Sequence, residues 1–250
     1  MLMDVIKIGV LFVGSFIAAF YASTVGGMGF ITLPLLILFG LPIPLAIGTN
    51  RLVSLAMDIT ASVKFYLHKQ LLIITALIIG IVVSIGSFLG AHLVSVVSGE
   101  FLKYFTILVL IGAFFLTVFS KKTGNQIYSF KKSHLIIAIP ILLLMGLYGG
   151  MIGIAFGSLM ILIPAFMGYN FSQSAGIARI SGAMMSLTAT YVFVSQNMIH
   201  YAYAVPMILG VIGGSWLGIT ISIKKGDKFI KTLLAIILIA SIIQLLFFHK

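Results

Sequence analysis

Arg51 and Arg179 are the two arginines of this 250-residue chain, and they lie 128 positions apart in strongly apolar surroundings. An ionisable side chain at membrane depth costs about 2.5–3.5 kcal/mol on insertion scales, so its presence there points to function. The guanidinium is a planar fork whose paired N–H groups match the oxygens of a carboxylate or a similar small oxyanion. Asp58 follows Arg51 by seven residues, about two helical turns, so the two share nearly one helix face. A carboxylate at that place could take up a proton as a substrate moves, or simply hold an arginine. The position 128 residues beyond it is Ser186, so the acid is not duplicated. Thr49, Asn50, Ser54, Ser174 and Ser181 supply neutral hydrogen-bonding groups around the two arginines. The plainer alternative is that each arginine clamps opened backbone carbonyls or lies near an interface.

The elements that carry these residues are broken twice. The first half reads Gly26-Gly27-Met28-Gly29, then Pro34, Gly40, Pro42, Pro44, Gly48 and Thr49-Asn50-Arg51. Prolines interrupt helical hydrogen bonding, and glycines permit sharp turns and close backbone approach. The second half repeats the arrangement in weaker form with Gly149-Gly150, Gly153, Gly157, Pro164, Gly168, Ser174 and Arg179. Opened backbone at membrane depth is tolerated only where protein or a water-filled cavity satisfies it. Glycine- and proline-interrupted segments at matching places in two halves are the sequence pointer to a transporter site. Helix N-termini at such breaks, with free N–H groups, favour anions. Gly86, Gly90, Gly214 and Gly218, at small-xxx-small spacing, read instead as close helix packing.

The match between halves extends over the chain. A shift of 128 lays Gly29 on Gly157, Gly40 on Gly168, Gly48 on Gly176, Phe65 on Phe193, Gly86-Ser87 on Gly214-Ser215 and Lys103 on Lys231. The chain is a tandem duplication: a single membrane domain over 1–250, with repeat 1 at 1–120, a basic cytoplasmic linker at 121–133 and repeat 2 at 134–250. Five apolar segments fall in each half, at about 5–25, 29–41, 44–66, 70–97 and 101–119, and at about 134–150, 153–168, 171–194, 201–222 and 229–248. The run at 29–41 would be only about 20 Å long as a helix, too short to cross a core of about 30 Å. All five segments cross, or the short one and its successor form a re-entrant hairpin.

With 61% hydrophobic and 8% charged residues and a mean hydropathy of +1.27, the chain could not cover a water-soluble surface. The expected class is an all-α polytopic integral membrane protein in the cell membrane. Without cysteine there is no disulfide, thiolate metal site or cysteine nucleophile, and no cofactor or metal is expected. The net charge is +11, and ten of the thirteen lysines fall in three groups: Lys64 and Lys69; Lys121, Lys122, Lys131 and Lys132; and Lys224, Lys225, Lys228 and Lys231. Lysine-rich loops mark the cytoplasmic face, so the charge reports orientation toward anionic lipid rather than nucleic acid. Equivalent loops of the two halves carry opposite bias, as expected of repeats that face opposite ways across the bilayer. His92 reads as a packed helix residue, His68 and His200 as loop or end residues, and Trp216 as lipid-facing or interfacial.

The run from Gly26 to Asn50, a glycine cluster followed by Pro34, Gly40, Ala46, Gly48 and Thr49, resembles the signature of the sulfite exporter TauE/SafE family. The duplicated organisation agrees, and the resemblance covers essentially the whole chain. The second copy departs from the pattern: Ser174-Ala175-Gly176-Ile177 stands where the first has Ala46-Ile47-Gly48-Thr49, and Pro164 falls two residues beyond the match of Pro34. The resemblance implies a carrier of sulfite, sulfonates or other small organic anions.

The resulting expectation is a secondary transporter, not an enzyme, working by alternating access with proton coupling through Asp58. Its expected substrate site comprises Gly26, Gly27, Gly29, Pro34, Gly48, Thr49, Asn50, Arg51, Ser54, Gly153, Gly157, Ser174, Arg179 and Ser181. An intramembrane hydrolase would need a nucleophile with its base or clustered metal ligands. The chain has neither HExxH nor GxSxG, and its four acidic residues are scattered. A passive anion channel and a non-transport membrane assembly factor are the alternatives. The partners expected are a small anion and the lipid bilayer.

Overall fold

The computed structural model describes residues 2–69, 72–94 and 132–247. Among them are nine α-helices and no strand. These are α1 (Leu2–Val25), α2 (Gly29–Leu38), α3 (Ile43–Leu67), α4 (Ile73–Leu93), α5 (Lys132–Met151), α6 (Phe156–Phe166), α7 (Phe171–Ser195), α8 (Tyr201–Lys225) and α9 (Asp227–Phe247). The apolar segment at 101–119 and linker residues 121–131 lie outside the described residues. Helix α5 begins at Lys132, two positions inside the expected linker.

The 128-residue shift maps helix onto helix. Adding 128 to Ile43–Leu67 gives 171–195, the bounds of α7, and adding it to 29–38 gives 157–166, within α6. Different local chemistry reaches the same register. Helix α3 starts with proline in its first turn, where the missing N–H would have no partner anyway. Helix α7 starts with a capping box: Asn170 Oδ1 accepts from Gln173 N–H at 2.7 Å, and Gln173 Oε1 accepts from Asn170 N–H at 3.4 Å. Both helices end alike, on residues with positive φ at equivalent positions, Lys69 (56°) and Asn197 (55°).

Among the described residues, four stretches are long and apolar enough to cross a membrane: Ile6–Val25, Ile73–Leu93, Phe171–Ser195 and Tyr201–Lys225. Helices α2 and α6, of 10 and 11 residues, are only about 15 and 16 Å long and cannot cross alone. On α1 the side chains of Ile6, Val10, Val13, Ile17 and Phe20 recur every three to four residues and are exposed, forming a stripe that faces lipid. The protein is an all-helical polytopic membrane protein.

Three of the helix pairs that hold the bundle show how its helices run relative to one another. Helix α8 lies on α1 with Gly210, Gly214 and Gly218 against the backbone of Phe12, Phe16 and Phe20 in turn, so the two run in the same direction. Helix α4 lies on α5 in the same manner, with Gly86 and Gly90 against Leu143 and Leu147, and Gly146 and Gly150 against Val83 and Ser87. A side chain at these glycines would fall on a neighbouring carbonyl. Lipid gives helices no hydrophobic reason to associate, so such backbone proximity supplies the packing energy. The third pair, α3 with α7, runs antiparallel: Asp58 faces Gly182 and Ser186, whereas Gly48, nearer the start of α3, faces Phe193 and Met198.

Two sequence expectations change here. Lys64 is not a loop residue; it lies in the last turn of α3, is only 9% exposed, and holds its Nζ 3.8 Å from the ring centroid of Trp216 on α8. The aromatic face accepts the ammonium that the apolar surroundings would otherwise exclude. His92 is not packed in the interior. It is exposed in the last turn of α4, with Nδ1 2.8 Å from the Phe88 carbonyl and its ring 4.7 Å from that of Phe88.

Candidate substrate site

The two helix breaks meet each other. Between α1 and α2 the chain turns at Gly26 (φ 83°) and Gly27 (φ 86°), a left-handed conformation that favours glycine. Gly26 lies against the backbone of Gly157 and Ser158 at the start of α6, and Gly29 against Ile154. Under the 128 shift Gly26 corresponds to Ile154 and Gly29 to Gly157, so each break touches the matching part of the other. Side chains fasten this crossing. The Ser158 hydroxyl donates to the Val25 carbonyl at 2.7 Å, satisfying an acceptor at the end of α1, and the Tyr21 hydroxyl donates to the Gly27 carbonyl at 3.1 Å. The Thr32 hydroxyl donates to Asn50 Oδ1 at 2.6 Å and ties α2 to α3.

A cavity of about 30 Å³ lies beneath the crossed breaks. Roughly 10–15 Å³ suffices for one water, so the space suits two waters or a small anion and excludes anything bulky in this conformation. The starts of α2 and α6 open onto it through Gly27, Met28, Gly29, Ile154, Phe156 and Gly157. Its floor is the α3–α7 pair, with Asn50, Arg51, Ser54 and Asp58 from one helix and Arg179, Gly182 and Ser186 from the other.

The charged groups are deeply buried and unequal. Arg51 is 2% exposed, Arg179 1% and Asp58 5%. Asp58 Oδ1 accepts from Arg179 Nη1 at 2.9 Å, and the Ser186 hydroxyl reaches Asp58 Oδ2 at 3.5 Å. Arg179 Nη1 also points to the Ala22 carbonyl at 3.4 Å. Arg51 has no carboxylate partner among the described residues; its Nε and Nη2 make no hydrogen bond. Its guanidinium lies against Gly153, where a Cβ would overlap it. Two cations and one anion line this cavity. A buried charge is ordinarily paired, and Arg51 is the one that is not.

Most of the expected site residues converge here: Gly26, Gly27, Gly29, Asn50, Arg51, Ser54, Asp58, Gly153, Gly157 and Arg179 all line the cavity. Pro34, Gly48, Thr49, Ser174 and Ser181 do not. At 100° per residue, Thr49 and Ser181 each lie about 200° around their helix from the neighbouring arginine. Thr49 instead donates to the Leu45 carbonyl at 2.7 Å and accepts from His200 N–H at 2.9 Å, joining the start of α3 to α8. Ser181 donates back to the Ile177 carbonyl at 2.9 Å. Ser174 is buried away from the cavity, Gly48 packs on Met198, and Pro34 lies inside α2 beyond its first turn. The arginines sit in the third turns of α3 and α7, not at their starts, and the helix N-termini beside them belong to α2 and α6. Gly182 and Ser186 were not expected in the site, although the 128 shift marks them as the counterparts of Ser54 and Asp58. Met57 and Met185 of the apolar lining are equivalent under the 128 shift and Ile154 is the counterpart of Gly26, but none of the three was an expected site residue.

Crossed broken helices over a buried charged cavity, in an all-helical bundle, define a membrane transporter of the broken-helix kind. The chain belongs to the sulfite exporter TauE/SafE family, whose sequence pattern it matches over residues 11–245. It is similar to a probable membrane transporter protein of Haemophilus influenzae, with 30% identity across 92% of this chain and 90% of the relative. It is also similar to the probable membrane transporter protein ORF9 of a Sinorhizobium species, at 27% identity over 94% and 91%, and to YfcA of Escherichia coli, at 26% over 92% and 86%. No solved structure matches the chain. The protein is therefore a multi-pass cell-membrane transporter.

Proposed function

We propose that the protein is a secondary transporter of small sulfur-containing or organic anions of the sulfite and sulfonate type. The observation that carries this reading is Arg51: a buried guanidinium without a carboxylate partner, facing a cavity of small-anion size. An anion with two or three oxygens would complete the fork. The positive ends of α2 and α6, aimed at the same space, add to the attraction. The family's description as sulfite exporters agrees with this chemistry.

Alternating access follows from the same parts. The antiparallel α3–α7 crossing and the parallel α1–α8 and α4–α5 pairs fit two repeats of opposite orientation, with the anion held at their junction. Burial of all three charged groups supports an occluded conformation that must open to either side. Asp58, the one carboxylate lining the cavity, is the group we assign to proton coupling.

The test is uptake and efflux of labelled sulfite in proteoliposomes under an imposed pH gradient. Saturable, trans-stimulated flux that Arg51→Ala abolishes supports the carrier. Linear, non-saturating conduction supports a passive channel, and sulfite flux unaffected by Arg51→Ala removes the site.

A further inference from the structure

Resting on the anion-carrier reading, we infer that the site is built for a single negative charge and that Asp58 is the residue that sets this limit. Arg51, Arg179 and Asp58 are the charged side chains that line the cavity, and with Asp58 ionised, the state that receives the anion, they carry one net positive charge together. Asp58 pairs with Arg179 Nη1 at 2.9 Å and offsets its charge, whereas Arg51 has no carboxylate partner among the described residues, although Nε and Nη2 of both arginines are without a hydrogen bond. A monoanion on Arg51 brings the buried cluster to neutrality. A dianion of equal size leaves one negative charge that no side chain of the cavity offsets and that only the partial charges at the starts of α2 and α6 oppose, which burial penalises.

The asymmetry of the duplication agrees. Two arginines survive at equivalent positions, which alone would make a doubly positive pocket. The carboxylate appears in one copy only, with Ser186 at the matching position, and the Ser186 hydroxyl lies 3.5 Å from it. A structural clamp on Arg179 could have been neutral, because backbone carbonyls such as that of Ala22 are within reach. A carboxylate instead removes one positive charge from the anion's environment. Discrimination by charge is then separate from discrimination by shape, which the glycine-lined walls provide.

The probes are methanesulfonate and sulfate, tetrahedral sulfur oxyanions of similar size that carry one and two charges at neutral pH. Each is titrated against purified protein in nanodiscs by thermal shift, and each competes against sulfonate uptake in proteoliposomes at fixed pH. In the wild type, methanesulfonate is expected to bind at least about ten-fold more tightly than sulfate. Asp58→Asn is expected to move this ratio toward sulfate by at least about ten-fold, and Asp58→Glu to keep the wild-type order. Equal or tighter sulfate binding by the wild type overturns the inference, whether or not any variant folds. So does an unchanged ratio in folded Asp58→Asn. Binding of neither probe, with no sulfite flux, overturns the anion-carrier reading itself, which separates the two failures.

Discussion

At the residue scale, the two arginines answer different demands. Arg179 is held by Asp58, and truncating one member of a buried ion pair leaves the other charge uncompensated. Asp58→Ala is accordingly expected to lower stability by about 3–5 kcal/mol, read as a large drop in the melting temperature of detergent-solubilised protein. Arg51 has no such partner. Arg51→Ala is expected to leave the melting temperature unchanged or raise it, while substrate flux falls at least about 30-fold, the equivalent of about 2 kcal/mol of a lost charged hydrogen bond. A melting temperature that falls as far for Arg51→Ala as for Asp58→Ala would make Arg51 a structural clamp.

At the element scale, the breaks depend on glycine for two separable reasons. Gly40 has a φ of 91° and open space around it, so Gly40→Ala meets conformational strain alone, about 1–2 kcal/mol. Gly26 has a similar φ of 83° and also lies on the backbone of Gly157 and Ser158, which cannot swing aside. Gly26→Ala is expected to be the more damaging in thermal denaturation, and to impair flux because it parts the two breaks over the cavity. On the seams, Gly214→Leu would force α8 from the carbonyl of Phe16. Overpacking of this kind costs about 1–3 kcal/mol, and the measured outcome should be reduced yield of folded, monodisperse protein.

At the scale of the whole molecule, the proposed opposite orientation of the halves has a direct test. The chain has no cysteine, so a single introduced cysteine can be labelled without background. His68 and Gln196 are equivalent under the 128 shift, and both are exposed at the ends of α3 and α7. In vesicles of one orientation, a membrane-impermeant maleimide is expected to reach His68→Cys and Gln196→Cys from opposite sides. Labelling from one side would require parallel repeats and contradict the antiparallel α3–α7 crossing.

The sequence by itself determined the class, the 128-residue register of matched residues, the position of both breaks and the identity of both arginines. These properties are local or periodic: apolar runs, glycine and proline at turns, and rare charged residues that recur at a fixed shift. It even brought Ser54 and Asp58 to the face of Arg51, because helical spacing sets which side chains share a face, with Asn50 about a quarter turn away. It could not sort Thr49, Ser174 and Ser181 from them without applying that spacing strictly, nor find Gly182, whose role is to leave room for Asp58. Only the tertiary structure decided which arginine is free. Arg51 and Asp58 share a face of α3 but stand seven residues, about 10 Å, apart along it. The antiparallel crossing of α7 instead carries Arg179 to 2.9 Å from the carboxylate. Charge pairing in this cavity is therefore a property of how two helices cross, and no reading along one helix contains it.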